Sequence, residues 1–527
     1  MSKEEVPTVF VREATGLRRE LGATFSIAYP LNLVVGPWLF LYLPIALATN
    51  PGANLMLALV LDAIPAFIFM INALFLAVAI PRSGGDYTWV SRVIHPSIGY
   101  IFNGFASLSI SLIVFGSVAI FLPILWGFAL YTVGNVGFTG LIDPALALMS
   151  DTAVQILFGV VAIIIFILLD ALGPKFLKWA NYIFFTVTMI FTVVLFGVLL
   201  SGLAGPVPAL WDAVWGSGAY SEIQTVAVTN GWGPVAANLP DTLSAMRFLY
   251  FLFLGGTALG FFGSEIKVPK KSFTIGFIGG ICIITVIFLG VTGLILAIYG
   301  DFASQYSYIM IAGGAIPTTI NPWLYPLANI FAISLTTNPV IQIILAVGPA
   351  IWALAFFPTM LPGMTRVLFA MSFDRFLPEK ITAVNARTGA PYVASIVVGI
   401  LAFISTIIYS YAGWLATALG TISLTALADL FMGFATFQMA YTKPSIWKSG
   451  FTYKVGDIPL SSVVGLLTLT FPGFFMLFFT MLEADALSIA TGSILIGLGL
   501  LIYLYYCRKN TKEGVDINKI YGEVPPT

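Results

Sequence analysis

Charged residues, histidine and cysteine are all scarce in this chain of 527 residues, and each shortage excludes a class of protein. Charged residues make up 9% of the chain, compared with about 25% in an ordinary soluble domain, whereas 59% of the residues are hydrophobic. The formal net charge is zero, so no bulk charge indicates a nucleic-acid partner. Composition therefore predicts a protein that crosses a lipid bilayer several times.

The single histidine and the two cysteines argue against a metal, a cofactor and an enzyme. Cys282 and Cys507 have neither a disulfide framework nor the spacing of metal ligands. A membrane redox or proton-pumping enzyme needs haem or metal ligands, or chains of ionisable residues inside the bilayer. His95 falls in a predicted loop, and no lysine falls inside an apolar segment. We therefore expect no cofactor, no metal and no enzymatic activity.

Apolar segments of about 20 residues, the length that a helix needs to span a membrane, recur along the whole chain. Twelve such segments begin near residues 21, 52, 98, 153, 179, 244, 273, 339, 391, 413, 460 and 486. Lysine and arginine accumulate on the cytoplasmic side of membrane proteins. With a cytoplasmic N-terminus, all of the 23 basic residues except Arg247 fall on that side. The pattern predicts an all-α protein of the plasma membrane with twelve transmembrane helices and both termini in the cytoplasm.

The twelve segments divide the chain into four parts. Residues 1–20 form a cytoplasmic N-terminal segment, 21–440 a core of ten helices, 441–507 the eleventh and twelfth helices, and 508–527 a cytoplasmic tail. The long connections 203–243 and 301–338 contain no lysine or arginine, and the second contains NPWLYP. We expect short elements there that cap an extracellular mouth.

Two apolar segments carry helix-weakening residues near their centres. The sixth contains Gly255 and Gly256, and the first contains Gly36 and Pro37. Proline removes a helical hydrogen bond, and each interior glycine costs roughly 1 kcal/mol. In lipid, an interrupted helix survives only where its freed backbone groups face protein or a water-filled cavity. Glycine also permits close helix packing, so for the sixth segment alone both interpretations stay open.

The pairing of the two interruptions favours a binding site. If ten of the twelve helices form two repeats of five, the first and sixth helices occupy corresponding positions. Interruptions at corresponding positions of two repeats are the best pointer in a sequence to the binding site of a transporter. A solute is therefore expected between the first and sixth helices.

Three stretches resemble the amino acid-polyamine-organocation superfamily of secondary transporters. PRSGGDYTWVSRVIHPSIGYIFNG, residues 81–104, resembles that family's loop between the second and third helices. FLFLGGTALGFFGSEIKVPKK, residues 251–271, resembles its sixth-helix signature, and TRVLFAMSFDRFLPEKITAVNARTGAP, residues 365–391, its connection between the eighth and ninth helices. With RRELG before the first helix, the matches extend over nearly the whole chain in the expected order.

The resemblance implies a fold and a function together. The fold is an inverted repeat of five plus five helices, with helices 1 and 6 broken and two extra helices. The function is alternating-access transport of a small organic solute, most often an amino acid or an amine. Half-helix N-termini would offer N–H groups to a carboxylate, and freed carbonyls would suit an ammonium group or a cation. The predicted substrate-binding residues are Val35, Gly36, Pro37, Trp38, Phe253, Gly255, Gly256 and Thr257.

The first helix departs from the family pattern. Gly36, Pro37 and Trp38 stand where the family usually has a glycine, a small residue and a second glycine. Pro37 removes one donor to a carboxylate, and Trp38 fills space that the second glycine would leave open. Amino acid is thus the family default, with an amine, polyamine or other organic cation as the alternative. Trp38 either gates the site or covers an amine with its ring, or it only packs. A sensor or structural subunit that keeps the fold is a further alternative.

Two carboxylates, Asp62 and Asp429, lie inside predicted helices. An ionised aspartate near the bilayer centre costs ~3 kcal/mol, so each is expected to face the bundle interior or to be protonated. Both are candidates for proton coupling, and permanent protonation with a hydrogen bond to a neighbouring helix is the alternative. Sodium coupling would need oxygen ligands, for which the eighth helix offers only Thr359 and Thr365. Coupling to H⁺, coupling to Na⁺ and exchange therefore all stay open.

The charged residues of the matched cytoplasmic stretches are candidates for a gate. Glu265, Arg366 and Asp374 either pair with one another across a cytoplasmic gate or form ordinary loop ion pairs. Asp170 lies at a helix end beside Lys175 and Lys178, where a solvated structural role is expected. Ser107 and Ser111, one helical turn apart, either line the path or only bond back to their own helix.

Overall fold

The computed structural model describes residues 14–253, 255–311, 325–412, 414–475, 477 and 486–525, and helices make up most of it. The helices as far as residue 249 are α1 (Ala23–Thr49), α2 (Leu55–Ala79), α3 (Asp86–Val93), α4 (Pro96–Ile98), α5 (Ser107–Asn135), α6 (Ile142–Ser150), α7 (Thr152–Ala171), α8 (Pro174–Gly202), α9 (Val207–Trp215), α10 (Ala219–Thr229) and α11 (Leu239–Leu249). The remaining helices are α12 (Pro269–Thr274), α13 (Gly280–Tyr299), α14 (Asp301–Ile311), α15 (Ala328–Ile333), α16 (Pro339–Ala355), α17 (Phe357–Phe373), α18 (Tyr392–Ala412), α19 (Trp414–Thr442), α20 (Pro444–Ser449), α21 (Leu460–Thr468), α22 (Ala486–Lys512) and α23 (Ile517–Gly522).

Short irregular helices and one small sheet join these elements. π-helical turns cover Gly99–Ala106, Ile275–Gly279 and Leu469–Phe475. Two strands, β1 (Lys454–Val455) and β2 (Ile458–Pro459), pair antiparallel with Lys454 opposite Pro459. The first two turns lead directly into the long helices α5 and α13, and the third directly follows the shorter helix α21.

Nine helices in the described part of the chain are long and apolar enough to cross a membrane. They correspond to predicted segments one to five, seven to nine and twelve. Large apolar side chains cover the outside of the bundle; for example, Ile164, Leu168 and Val193 are 53%, 60% and 72% exposed. Such a surface fits lipid, because in water it would promote aggregation. The membrane class is confirmed, while the count of twelve, the inverted repeat and the four-part division stay predictions.

The two ends of the described chain lie at the same end of the helix bundle. The N–H group of Leu21 donates to the carbonyl of Glu265 at 3.0 Å, and Lys267 donates back to Leu21 at 2.8 Å. Near the other terminus, Asn510 donates to the carbonyl of Arg375 at 3.1 Å. We call this the ion-pair end, because buried arginines cluster there. Termini at the same end are what an even number of crossings requires.

The first helix is uninterrupted, so the predicted break at Gly36 and Pro37 is wrong. Helix α1 continues from Ala23 to Thr49. A Cβ atom on Gly36 would lie 2.6 Å from the carbonyl oxygen of Trp352, so this glycine permits close packing of α1 against α16. Pro37 removes only one helical N–H group, and the tightly enclosed helix tolerates that loss.

The sixth helix is broken where the sequence predicts. Helix α11 ends at Leu249, a 3₁₀ turn covers Tyr250–Phe253, and further 3₁₀ turns cover Gly256–Phe261 and Gly263–Glu265. Between them Gly255 has φ 94° and ψ −16°, the left-handed conformation. An L-residue there costs roughly 1–2 kcal/mol, so the glycine is needed for its backbone conformation. We call residues 239–265 the broken segment.

Short helices occupy the two long connections, as predicted. Helices α9 and α10 lie in the first connection, and α14 and α15 lie in the second. Trp211 of α9 is buried against Phe302 of α14, with ring centroids 4.8 Å apart. The stretch NPWLYP begins within residues 312–324, which lie outside the described part of the chain.

Candidate functional site

A cavity of about 110 Å³ lies beside the break in the sixth helix. The broken segment contributes Gly255 and Thr257 to its wall, and α1 contributes Leu33 and Trp38. Further lining residues come from helices α2, α3, α5, α17 and α19. We call this space the central cavity. Freed backbone groups therefore adjoin an internal space, which is the condition under which a broken helix persists in a membrane.

Helical periodicity places the remaining wall residues. Ser107, Ile110, Ser111 and Val114 of α5 follow the spacing i, i+3, i+4 and i+7, so they share one helix face. Both serines line the central cavity, which favours the path-lining interpretation over simple packing. On α19 the lining residues are Thr425, Ala428 and Asp429, again on one face.

The predicted substrate-binding residues divide into two groups. Trp38, Gly255 and Thr257 line the central cavity. Val35 is fully buried in α1 and is not among the lining residues, and the side chain of Pro37 lies outside the described part of the structure.

Three further predicted residues have packing partners away from the cavity. Gly36 adjoins the backbone of α16, as described above. Phe253 packs edge-on against Phe288 of α13 with ring centroids 5.5 Å apart. Gly256 faces Met70, because a Cβ atom on it would lie 2.7 Å from the Cε atom of that methionine. The sequence motif thus combines residues that line the cavity with residues that bring helices together.

Trp38 lies between the central cavity and a second cavity of about 200 Å³. The second cavity is lined by Tyr42, Phe121, Tyr325 and Tyr409 among others. The indole ring packs edge-on against Phe356, with centroids 5.8 Å apart. Both cavities share Trp38 as a wall residue. This side chain is therefore placed to act as the partition between them.

Replacing Trp38 with alanine is expected to join the two cavities. In a variant with Cys282→Ser and Cys507→Ser, a Ser111→Cys reporter on the wall of the central cavity should react several-fold faster with a water-soluble thiol reagent once Trp38→Ala is added. The physical reason is removal of the shared indole wall. Trp179→Ala, a change at a side chain that is 55% exposed, is the matched control and should leave the labelling rate unchanged. Equal labelling with and without Trp38 would show that the indole does not separate the cavities.

The two aspartates predicted inside helices are both buried near the break. Asp62 of α2 is 0% exposed, and neither of its carboxylate oxygens has a hydrogen-bond partner among the described residues. Asp429 lines the central cavity at 3% exposure, and its Oδ2 atom is also without such a partner. Both candidates are therefore buried carboxyl groups with at least one oxygen that no described group satisfies.

A second carboxylate in the wall of the central cavity, Asp86, was not among the candidates that the sequence suggested. It begins α3, lines the central cavity and is 7% exposed. Burial raises the pKa of this carboxyl group to about 7. Gly84 and Gly85, with φ 95° and 47°, turn the chain back into the bundle directly before it. The sequence signal that could have identified Asp86 is a carboxylate directly after two glycines. Only the fold shows that the turn at these glycines directs Asp86 into the central cavity.

Arg366 forms a fully buried ion-pair network at the ion-pair end. Its Nε atom donates to Glu265 Oε1 at 2.8 Å, and its Nη1 atom donates to Asp170 Oδ1 at 2.6 Å. The guanidinium group also lies 5.1 Å from the ring centroid of Phe262. Ser395 donates to the second oxygen of Asp170 at 2.6 Å. One arginine thus ties the end of the broken segment to α7, α17 and α18.

The expectation that Asp170 is solvated is wrong. This carboxylate is 1% exposed, because Arg366 and Ser395 satisfy its two oxygens. Its apparent basic neighbours in sequence, Lys175 and Lys178, form no ion pair with it in the described structure. Proximity along the chain suggested the wrong partners.

Asp374 belongs to a separate network. It accepts from Arg92 at 2.6 Å and from the hydroxyl group of Tyr87. The C-terminal helix α23 joins this network through Tyr521, whose hydroxyl oxygen lies 3.1 Å from that of Tyr87. The three predicted gate residues therefore form two buried clusters, with Glu265 and Arg366 in one and Asp374 in the other.

The threonines considered for sodium bond to their own helix. Thr359 donates to the carbonyl of Phe356 at 2.6 Å, and Thr365 donates to that of Leu361 at 2.9 Å. Within the described ranges, no cluster of three histidine, cysteine or acidic residues has the geometry of a metal site. These observations leave the coupling ion open.

A broken helix beside an internal cavity, within a bundle of apolar helices, is typical of membrane transporters. Comparison with known proteins gives the family. The family model for amino acid permeases matches residues 30–508, so the chain belongs to the amino acid permease family, within the superfamily that the motifs resemble.

Relatives of the chain agree with this class. An uncharacterized transporter of Mycobacterium tuberculosis (strain H37Rv) is 22% identical over 92% of this chain and 91% of its own length. A branched-chain amino acid permease of Bacillus subtilis is 22% identical over 94% of each chain. A methylthioribose transporter of the same species is 20% identical over 95% of each chain. The similarity therefore extends over whole transporters.

Proposed function

We propose that the chain is a secondary active transporter that moves a small organic solute, an amino acid in first place, by alternating access. The observation that carries the proposal is the left-handed Gly255, which breaks the sixth helix at the wall of the central cavity. The branched-chain amino acid permease among the relatives supports an amino acid as substrate. An amine, polyamine or other organic cation is the alternative substrate class.

The broken segment supplies the backbone chemistry of this site. A 3₁₀ turn on each side of Gly255 leaves N–H and carbonyl groups without the usual helical partners. Such groups suit the carboxylate and the ammonium of an amino acid. Since α1 is continuous, the sixth helix provides these groups without a matching break in the first.

The two ends of the bundle have different barriers between the central cavity and solvent. The Arg366 and Asp374 networks close the ion-pair end, and Trp38 lies on the side of the second cavity. In the proposed cycle, Trp38 moves aside to open the cavity toward the second cavity, and the two ion-pair networks separate in turn to open it toward the ion-pair end. Glu265, Arg366 and Asp374 then act as the gate at that end. By the positive-inside rule, the ion-pair end and both termini face the cytoplasm of a plasma-membrane protein.

Proton coupling is the proposed energy source. Asp62 and Asp429 are both buried and carry carboxylate oxygens without hydrogen-bond partners in the described structure. An ionisable group inside a membrane protein that lacks a compensating partner is suited to binding and releasing a proton. A sodium-coupled carrier and an exchanger remain outcomes of the same transport experiment.

A second candidate function is that of a sensor or structural subunit that retains the fold without transport. The uninterrupted α1 favours it, because one of the two expected sets of freed backbone groups is missing. Fold similarity by itself does not establish transport.

Uptake into proteoliposomes is the experiment that tests these proposals. Purified protein is screened by thermal unfolding against amino acids, polyamines, organic amines and small carboxylates, at two pH values and with or without sodium. A ligand at a hundred times its dissociation constant stabilises the native state by about 2.7 kcal/mol. The stabilising solute should then accumulate inside liposomes when a proton gradient is imposed. Stabilisation without uptake would favour the sensor, and neither response would favour the structural subunit.

A further inference from the structure

Two buried carboxylates line the central cavity from different elements. Asp86 begins α3, and Asp429 lies in the middle of α19. Each has a buried oxygen without a hydrogen-bond partner among the described residues: Oδ1 of Asp86 and Oδ2 of Asp429. Both side chains line one cavity of about 110 Å³, so their negative charges would repel each other if both were ionised. The cavity therefore has an acidic pair in its wall.

The surrounding protein does not compensate this pair. Among the described residues that line the central cavity, none is lysine, arginine or histidine. Arg92 lies on the same helix as Asp86, but its guanidinium group donates to Asp374 at 2.6 Å. Burying a carboxylate without a counter-charge is costly, and two neighbouring carboxylates raise that cost. A positively charged group that enters the cavity would offset this free-energy cost.

Building on the proposed transport function, we propose that Asp86 and Asp429 together bind a cationic group of the transported solute, so that the site selects solutes with a net positive charge. The chemical class is an amino acid whose side chain ends in an ammonium group, or a diamine. This role places Asp429 at the solute and leaves Asp62, which does not line the cavity, as the proton-coupling candidate.

The rest of the wall fits such a solute. Gly255 and Thr257 provide the broken backbone for one end group. Phe69, Ile110 and Val114 line the cavity with apolar surface that suits a methylene chain. An ammonium group donates three hydrogen bonds and accepts none, which matches two acceptor-only carboxylates. The cavity thus combines a polar backbone, an apolar wall and an acidic pair.

The test compares solutes that differ in one charge. L-Lysine and L-norleucine share their carbon skeleton, but norleucine lacks the terminal ammonium group; cadaverine has two ammonium groups and no carboxylate. Thermal unfolding of the full-length protein and uptake into proteoliposomes are measured with each. We expect L-lysine or cadaverine to stabilise the protein and to be taken up, and L-norleucine to do neither at the same concentration.

Substitutions in the acidic pair connect that selectivity to the site. Asp429→Asn and Asp86→Asn should each weaken binding of the cationic solute about tenfold or more, because each removes a charged hydrogen-bond acceptor. Asp457→Asn, at an exposed carboxylate in the β1–β2 turn, is the matched control and should bind as the unmodified protein does. If Asp429→Asn does not fold, Asp429→Glu, which keeps the charge, and Asp86→Asn, which removes one charge from the pair, test the same interaction.

The outcomes separate this inference from the proposed function. Uptake of L-norleucine equal to that of L-lysine, or unchanged lysine binding in both asparagine variants, overturns the cationic selectivity and leaves transport intact. Transport that is limited to neutral solutes would also overturn the cationic selectivity and leave the transport function intact. Absence of uptake for every solute in the wider screen would instead contradict the proposed transport function itself.

Discussion

Arg366→Gln should destabilise the protein by about 3–5 kcal/mol, the cost of breaking a buried ion pair. The substitution leaves Glu265 and Asp170 buried, at 0% and 1% exposure, without their shared guanidinium group. Uncompensated carboxylates in such a place carry most of their desolvation penalty. The measurement is thermal unfolding in detergent, read together with the yield of monodisperse protein.

Two comparisons isolate the ion-pair contribution. Lys509→Gln breaks a pair of 3.8 Å between side chains that are 44% and 48% exposed, and should cost at most about 1 kcal/mol. Adding Glu265→Gln and Asp170→Asn to Arg366→Gln should recover much of the loss, because removing a whole buried network is often nearly neutral. An Arg366→Gln protein as stable as the Lys509→Gln control would show that the buried network contributes little.

Gly255→Ala is expected to reduce solute uptake by roughly fivefold to thirtyfold, the effect of 1–2 kcal/mol on an equilibrium. The cause is backbone conformation, since φ is 94° and an added Cβ atom would find only ordinary contact with Leu33, at 3.4 Å. Alanine would therefore shift the broken segment toward a helix and withdraw backbone groups from the cavity. Uptake into proteoliposomes, with protein amount held equal, gives the measurement.

Other glycines provide the controls. Gly197 of α8 faces open space, because a Cβ atom added there would have no neighbour within 4 Å apart from its own helix backbone. Gly197→Ala should therefore leave uptake unchanged. Gly256→Ala introduces a contact of 2.7 Å with the flexible end of Met70, and this side chain can move. Wild-type uptake by Gly255→Ala would mean that this glycine only packs, which would contradict the proposed role of the break.

Local patterns were reliable where the chemistry is local. The double glycine predicted the break in the sixth helix only together with an interruption expected in the first, and the break is present because Gly255 adopts the left-handed conformation. The same reasoning was wrong for Gly36 and Pro37. Gly36 instead permits close helix packing, and that role depends on which residue of another helix lies next to it. That neighbour, Trp352, is more than 300 residues away in sequence and comes close only in the folded bundle.

Ion-pair partners were the least predictable feature. Glu265 and Arg366 were recognised as members of one charged gate, but Asp374 pairs with Arg92 instead. Asp170 lies 196 positions from Arg366, and local sequence pointed to nearby lysines. Periodicity assigns a residue to a helix face, but it does not say which other helix that face meets.

Composition, the length of apolar runs and local motifs specify the membrane class, most of the apolar spans, the family and the site of the break in the sixth helix. Each of these features depends on composition or on neighbouring residues, which the order of amino acids gives directly. Three other features became visible only in the folded bundle: α1 is continuous, Trp38 lines two cavities, and Asp86 and Asp429 share one cavity wall. These features depend on which segments pack together, because burial and pairing free energies arise only when distant parts of the chain come into contact.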